Sequence, residues 1–198
     1  MTADDLRARF EEIAVWKRGD QRAPHKPLLL LYALGRCYHG GRRLLPYLEV
    51  HDRLGRLLED FGPPRKRIHP EYPFWRLQND DLWVIPDADR LERRKSNTDA
   101  KLSELKTHNV EGGFPEPVFR LLRDQTDLVA ELARQLLNAH FPTSLHADIL
   151  DAVGLDLSAT NRSERSVRDP AFRNRILRAY EYQCAVCGYD VQLDGRPV

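Results

Sequence analysis

The stretch Arg65-Lys-Arg-Ile-His-Pro-Glu-Tyr-Pro-Phe-Trp-Arg-Leu77 joins a basic cluster, two prolines and a run of aromatic residues. It holds four basic side chains against the single carboxylate of Glu71, whereas the whole chain has a net charge of only +1. Positive charge gathered in one place on a nearly neutral protein is typical of a surface that binds a polyanion, since neutralised phosphates release counterions. The stretch therefore predicts a nucleic-acid surface.

Two prolines shape the middle of this stretch. Pro70 and Pro73 favour an extended backbone in the residues before them. We therefore expect the rings of Tyr72 and Pro73 to lie together on an exposed turn at the edge of the basic cluster. Phe74 and Trp75 fit a position in the core as well as one on the surface.

The residues after the prolines have the pattern of a hairpin. The run Phe74–Gln78 leads to a polar turn at residues 79–81, and the apolar run Leu82–Ile85 follows. Two short apolar runs around a polar turn indicate two antiparallel strands.

Elsewhere the apolar residues recur at helical spacing. Gly40 and Gly41 end one such segment, and a short strand is predicted from Arg42 to Leu45. The predicted helices cover residues 3–17, 28–38, 47–60, 115–122, 127–139 and 145–153. The predicted fold is mostly α with a small antiparallel β-hairpin, an α+β arrangement similar to a winged helix.

A second candidate anion contact lies at the start of the helix predicted for residues 28–38. Pro24 and Pro27 suit the first turn of a helix, where a missing amide proton costs nothing. His25 and Lys26 then lie at a helix N-terminus, where free amides and the helix dipole favour an anion. A phosphate contact and a surface cap without ligand both remain open.

Composition excludes several classes of protein. Of the 198 residues, 31% are charged and 41% hydrophobic, as in a globular rather than a disordered chain. The longest apolar run, Leu28–Leu34, is far shorter than a membrane span, and the N-terminus has no apolar signal core. We therefore expect a cytoplasmic protein without membrane contact.

The cysteines indicate a metal half-site rather than disulfides. The chain has three cysteines, of which Cys184 and Cys187 are two residues apart, a spacing typical of half of a zinc knuckle. No histidine or cysteine follows them, so either the chain ends inside a domain or a distant group such as His146 completes the site. A redox pair is the alternative, and Cys37 is expected to be a small buried apolar residue.

Residues 154–168 are polar and poor in large apolar side chains, which predicts a linker. After it, the segment Asp169–Gly188 resembles the entry to an HNH endonuclease domain. In that family a helix leads to the first zinc-binding cysteine pair, and the catalytic residues lie farther downstream. The resemblance implies a structural zinc ion at Cys184 and Cys187 and a divalent metal in a nuclease core that lies beyond Val198.

The region before the linker resembles the sulfur-binding domain of McrA-like type IV restriction endonucleases, which recognise DNA with a phosphorothioate in its backbone. The resemblance runs through Pro24–Pro27, Glu71–Arg76 and Gly112–Pro115, and it covers roughly residues 5–153. It implies a shallow cup for the sulfur, made of a tyrosine ring, a proline ring and the stems of neighbouring side chains. The cup residues that it implies are Tyr72, Pro73, Arg76 and, from the segment 94–101, Lys101.

The predicted organisation is thus a DNA sulfur-binding domain at 1–153, the linker at 154–168 and the first part of an HNH domain at 169–198. We expect the chain to bind double-stranded phosphorothioate DNA without cutting it, and the full-length enzyme to act as a homodimer. The alternatives are a winged-helix regulator that binds ordinary DNA by sequence and an adaptor that binds no nucleic acid. The predicted DNA contacts are His25, Lys26, Arg65, Lys66, Arg67, His69, Arg94, Lys95 and Asn97.

Overall fold

The computed structural model describes residues 1–15, 17–18, 21–63, 67–95, 99–157, 192–193 and 196–197. The chain divides into two units, Met1–Leu157 and Ser158–Val198. Within the described residues, no helix is both long enough and apolar enough to cross a membrane.

The first unit is built mainly of helices. Short antiparallel strands pair in twos, β1 (Lys17–Arg18) with β2 (Gln21–Arg22) and β3 (Leu44–Pro46) with β4 (Glu111–Gly113). The elements in chain order are α1 (Ala3–Glu11), β1 (Lys17–Arg18), β2 (Gln21–Arg22), α2 (His25–Tyr38), β3 (Leu44–Pro46), α3 (Tyr47–Phe61), α4 (Glu71–Arg76), α5 (Leu102–Thr107), β4 (Glu111–Gly113), α6 (Glu116–Asp124), α7 (Thr126–His140) and α8 (His146–Val153). Short 3-10 turns cover Leu77–Asp80, Ala88–Arg90 and Thr143–Leu145. In the second unit, β5 (Gln192–Leu193) pairs with β6 (Arg196–Pro197).

Helix α2 is the centre of the core. The four leucines of Leu28–Leu31 are completely buried, and α2 packs against α3, α4, α6, α7 and α8. A helix that is apolar around its whole circumference has to be enclosed by other elements. The long run of leucines therefore makes α2 the element around which the other helices assemble.

The small sheet gains a third segment through Gly113. Leu44 of β3 pairs with Gly113 of β4. On its other side, the amide of Gly113 donates to the carbonyl of Val84 over 3.0 Å, and the amide of Val84 donates to the carbonyl of Gly113 over 2.8 Å. A Cβ on Gly113 would overlap the carbonyl oxygen of Arg43. Only glycine fits between these two neighbours.

The predicted hairpin of residues 74–85 is wrong. Residues 71–76 form α4, and of Leu82–Ile85 only Val84 makes a β-bridge. Pro73 is compatible with the helix because it occupies the first turn, where its missing amide proton has no partner within the helix. Helical geometry also turns Phe74 and Trp75 into the core, where they are 0% and 6% exposed. The winged-helix similarity depended on this hairpin and loses its support.

The expected exposed turn at Tyr72 and Pro73 is also wrong, because both residues lie in α4 and Pro73 is buried. The other predicted helices and the predicted strand agree with the structure, apart from their ends. The mostly helical fold with a small antiparallel sheet is confirmed. Helix α1 ends at Glu11 rather than at residue 17, because the amide of Ala14 donates to Asp80 instead of continuing the helix. Helix α2 begins at His25, directly after Pro24. Helix α5 was not predicted.

Candidate nucleic-acid interface

A cavity of about 770 Å³ opens beside the start of α2 and the outer face of α4. Seven residues predicted from the sequence for DNA or sulfur contact lie along it, together with three small or branched apolar residues. The lining residues are Ala14, Val15, Ala23, His25, Lys26, Arg67, His69, Tyr72, Pro73 and Arg76.

Tyr72 is the centre of a cluster of cationic and aromatic groups. The ring of His69 stacks on it at 4.9 Å with an angle of 20° between the planes. The guanidinium carbons of Arg76 and Arg94 lie 4.6 and 5.1 Å from the centre of its ring. Arg94 also donates a hydrogen bond to the tyrosine Oη over 3.1 Å. Guanidinium groups at these distances are attracted by the negative face of the ring, so they hold Tyr72 in place.

Arg76 is held from behind by a buried carboxylate. Its Nε lies 3.2 Å from both oxygens of Asp99, and its Nη2 donates to Oδ2 over 2.7 Å. The side chain of Asp99 is 8% exposed, whereas that of Arg76 is 45% exposed. This hydrogen bond to Asp99 raises the pKa of Arg76. A bidentate contact of this kind fixes the direction of the guanidinium and of the methylene groups that carry it.

Glu71 contacts two of the groups that surround Tyr72. Its carboxylate is 5% exposed and lies 2.9 Å from Nδ1 of His69 and 3.5 Å from Nη2 of Arg94. The hydrogen bond from Arg94 to Tyr72 is the main cause of a raised pKa of Arg94. One buried carboxylate thus orients two of the groups that contact the tyrosine.

Lys26 is paired as well. Its ammonium lies 2.5 Å from Oδ2 of Asp80, and the two side chains are 14% and 6% exposed. The other oxygen of Asp80 accepts the amide of Ala14 over 3.0 Å. The start of α2, the end of the 3-10 turn and the segment after α1 are therefore joined at one wall of the cavity.

The remaining predicted residues are distributed differently. Lys95 is exposed, and Lys101 pairs with Glu92 and is not among the described residues that line the cavity. Within the segment 94–101, Arg94 is the basic residue seen to contact Tyr72. The roles of Lys95 and Lys101 stay predictions. Arg65, Lys66, Asn97, Cys184 and Cys187 lie outside the described residues.

Sequence reasoning missed the carboxylates that hold the cations. Asp99 stands opposite Arg94 because a β-bridge joins Arg93 to Ala100, and the amide of Arg94 donates to the carbonyl of Asp99. The signal in the sequence was an isolated acidic residue within a basic segment, and it gave no indication of burial.

Among the described residues, no group of three or more histidine, cysteine or acidic side chains is arranged to hold a metal ion. Zinc binding by the cysteine pair stays a prediction. Cys37 is buried and unpaired with another cysteine, and burial raises the pKa of its thiol to about 11.

Comparison with protein families gives one match that covers most of the chain. A model described as "ScoMcrA-like, DNA sulfur-binding domain" matches residues 3–158. No curated protein matches the chain.

Solved structures agree with the family match. The sulfur binding domain of ScoMcrA complexed with phosphorothioated DNA is 28% identical, with a TM-score of 0.67, and the match covers 76% of this chain and 95% of that one. A structure of the sulfur binding and SRA domains of ScoMcrA, also with phosphorothioated DNA, is 27% identical, with a TM-score of 0.68, and the match covers 88% of this chain and 56% of that one. The type IV phosphorothioation-dependent restriction endonuclease ScoMcrA itself is 27% identical, with a TM-score of 0.66 and the same 88% of this chain, which spans 38% of that protein.

Proposed function

Because the chain belongs to the family of ScoMcrA-like DNA sulfur-binding domains, we propose that it binds double-stranded DNA whose backbone carries a phosphorothioate. The sulfur enters the cavity beside Tyr72 and Pro73, and the surrounding cations contact the adjoining phosphates. The observation that carries this proposal is that Tyr72, Pro73, Lys26 and Arg76 line one cavity.

The chemistry of the cavity suits sulfur. Exchange of a non-bridging phosphate oxygen for sulfur gives a larger, more polarisable atom that accepts hydrogen bonds weakly. An aromatic ring, a proline ring and the alkyl stems of Lys26 and Arg76 offer such an atom apolar contact. Covering roughly 40 to 60 Å² of apolar surface contributes about 1 to 1.5 kcal/mol, or about a tenfold preference.

This preference is too small to provide the whole affinity. Contacts to phosphates supply most of the free energy of binding to any duplex, and they make the affinity depend on salt. Arg67 is exposed at the rim of the cavity and suits such a contact. His25 and His69 also line the cavity, and either imidazole suits a base edge in the major groove.

The proposal includes a place in a larger enzyme. The resemblance of residues 169–188 to an HNH entry, together with the likeness to ScoMcrA, supports a recognition domain attached to a nuclease. In this proposal a zinc ion at Cys184 and Cys187 stabilises the start of the nuclease domain.

The test is a titration of the chain with two duplexes that differ by a single phosphorothioate, at one stated salt concentration near physiological. Each sulfur stereoisomer is tried in several sequence contexts. Tighter binding of at least one sulfur-bearing duplex is the expected result. Equal affinities in every context would overturn the proposal and favour a regulator that binds ordinary DNA.

A further inference from the structure

Two cations that line the cavity with Tyr72 are paired with buried carboxylates. Lys26 contacts Asp80 and Arg76 contacts Asp99, and the two carboxylate side chains are only 6% and 8% exposed. Each carboxylate comes from a different segment than its cation and reaches it from the protein side. The wall that faces the ligand therefore has cationic groups whose charge is largely balanced from behind.

The exposed rim of the cavity is different. Arg67 lines the cavity and is exposed, and no ion pair to it is seen among the described residues. Without a carboxylate partner among the described residues, its guanidinium suits a contact with phosphate. As far as the structure describes its surroundings, the cavity thus combines an exposed cation that has no ion pair with two cations that have one.

We infer that Asp80 and Asp99 are specificity-determining residues, which favour sulfur over oxygen by offsetting the charges of Lys26 and Arg76. They act as positioning residues through those two cations and do not themselves contact DNA. This inference rests on the proposed function and extends it to residues behind the cavity wall.

The physical reason is the difference between the two atoms. A phosphate oxygen is small, strongly hydrated and a good acceptor, so it leaves water only for a strong donor or an unbalanced charge. Sulfur carries its charge over a larger volume and gains less from such a donor. A weaker field from Lys26 and Arg76 therefore reduces the attraction of a phosphate oxygen more than that of sulfur. The apolar contacts to sulfur remain.

The pairing also keeps the two stems in position. A guanidinium held through Nε and Nη2 presents its methylene groups in a defined direction. Without Asp99, the guanidinium of Arg76 is free to turn toward a phosphate oxygen. The same carboxylate therefore reduces contact with oxygen and maintains the apolar wall.

The experiment compares Asp80→Asn and Asp99→Asn, which keep the size of the side chain and remove its charge. Asp124→Asn, at an exposed position near the end of α6, is the matched control because it changes the net charge equally. Affinities for the plain and the sulfur-bearing duplex are measured as a function of salt, and thermal melts establish that each variant is folded.

We expect each cavity variant to bind the plain duplex about tenfold more tightly, as for one added charge-assisted contact, and the sulfur-bearing duplex by clearly less. The ratio of the two affinities falls accordingly, and the salt slope on the plain duplex steepens by about one unit. The control changes neither the ratio nor the slope. In an Arg76→Ala background, Asp99→Asn leaves the ratio unchanged.

An unchanged ratio in the folded variants would overturn the inference. So would an equal loss of affinity for both duplexes, which would mean that the carboxylates place the cations for direct contact. Asp80 and Asp99 lie on separate segments. If one variant fails to fold, the affinity ratio of the other variant still tests the inference. Failure of the proposed function itself is distinguishable, since the unaltered chain would then show no preference for sulfur.

Discussion

The guanidinium carbon of Arg76 lies 4.6 Å from the centre of the Tyr72 ring, one helical turn away on α4. The two residues form one wall of the cavity, and Asp99 keeps the guanidinium there. The ring offers apolar surface and the guanidinium offers charge, so the two contributions to binding are separable by substitution.

Tyr72→Ala is expected to remove most of the preference for sulfur, about tenfold, while general DNA binding persists. Tyr72→Phe is the matched control because it keeps the ring and removes only the acceptor for Arg94. Titration of both variants with the paired duplexes measures the effect. A full preference in the alanine variant would place the sulfur elsewhere.

Arg67→Ala is expected to weaken binding to both duplexes by the same factor and to reduce the salt slope by about one unit, because an exposed arginine contacts phosphate regardless of sulfur. Arg120→Ala, an exposed position on α6, serves as the comparison. The affinities are measured at four or more salt concentrations. The slope of log affinity against log salt concentration is approximately proportional to the number of phosphates that the protein contacts. A change confined to the modified duplex would contradict a phosphate role. The same expectation holds for Lys66.

Gly113→Ala is expected to lower the free energy of unfolding by about 1 to 3 kcal/mol, because the added methyl group meets backbone that has no room to move. Gly55→Ala, in the middle of α3, has nothing within 4 Å of the new methyl group. It is expected to stabilise the protein by roughly 0.5 to 1 kcal/mol through helix propensity. Denaturant unfolding measures the free energy of unfolding of both variants. Equal values would mean that β4 relaxes around the added methyl group.

Cys37 is expected to resist alkylation at pH 8 in the native protein and to react once the chain unfolds. Burial leaves it 4% exposed and raises the pKa of its thiol to about 11, so almost no thiolate is present at pH 8. Peptide mass spectrometry after iodoacetamide treatment measures Cys37 separately from Cys184 and Cys187. Rapid labelling of the folded protein would mean that α2 opens locally.

Much of the helical framework was predictable because its signal is local. The leucines of α2 and the apolar stripe of α7 repeat within a few residues, and that spacing survives in any fold that buries them. The start of α2 next to His25 and Lys26 followed from the prolines around them.

Helix α4 was not predictable in the same way. The sequence has two short apolar runs around a polar turn, as a hairpin would, and the choice of a helix depends on distant partners. Phe74 meets Trp83 edge to face at 5.8 Å. A Cβ on Gly112 would lie 2.8 Å from the Phe74 ring and 2.5 Å from Trp83 Nε1. No local pattern contains such a contact.

The sequence predicted which kinds of residue line the cavity. It did not predict the ion pairs between the cavity cations and the buried carboxylates. Charge and aromatic content located Arg67, His69, Tyr72 and Arg76 within one stretch of the sequence. That Asp99 holds Arg76 depends on a β-bridge outside that stretch.

Helix α4 separates two tasks along six residues. Phe74 and Trp75 belong to the core, whereas Tyr72 and Arg76 line the cavity one turn apart. Selection, natural or in a randomised library, is therefore able to vary the outward pair while the inward pair keeps the chain folded. A short helix of this kind is a natural starting point for engineering readers of other backbone modifications.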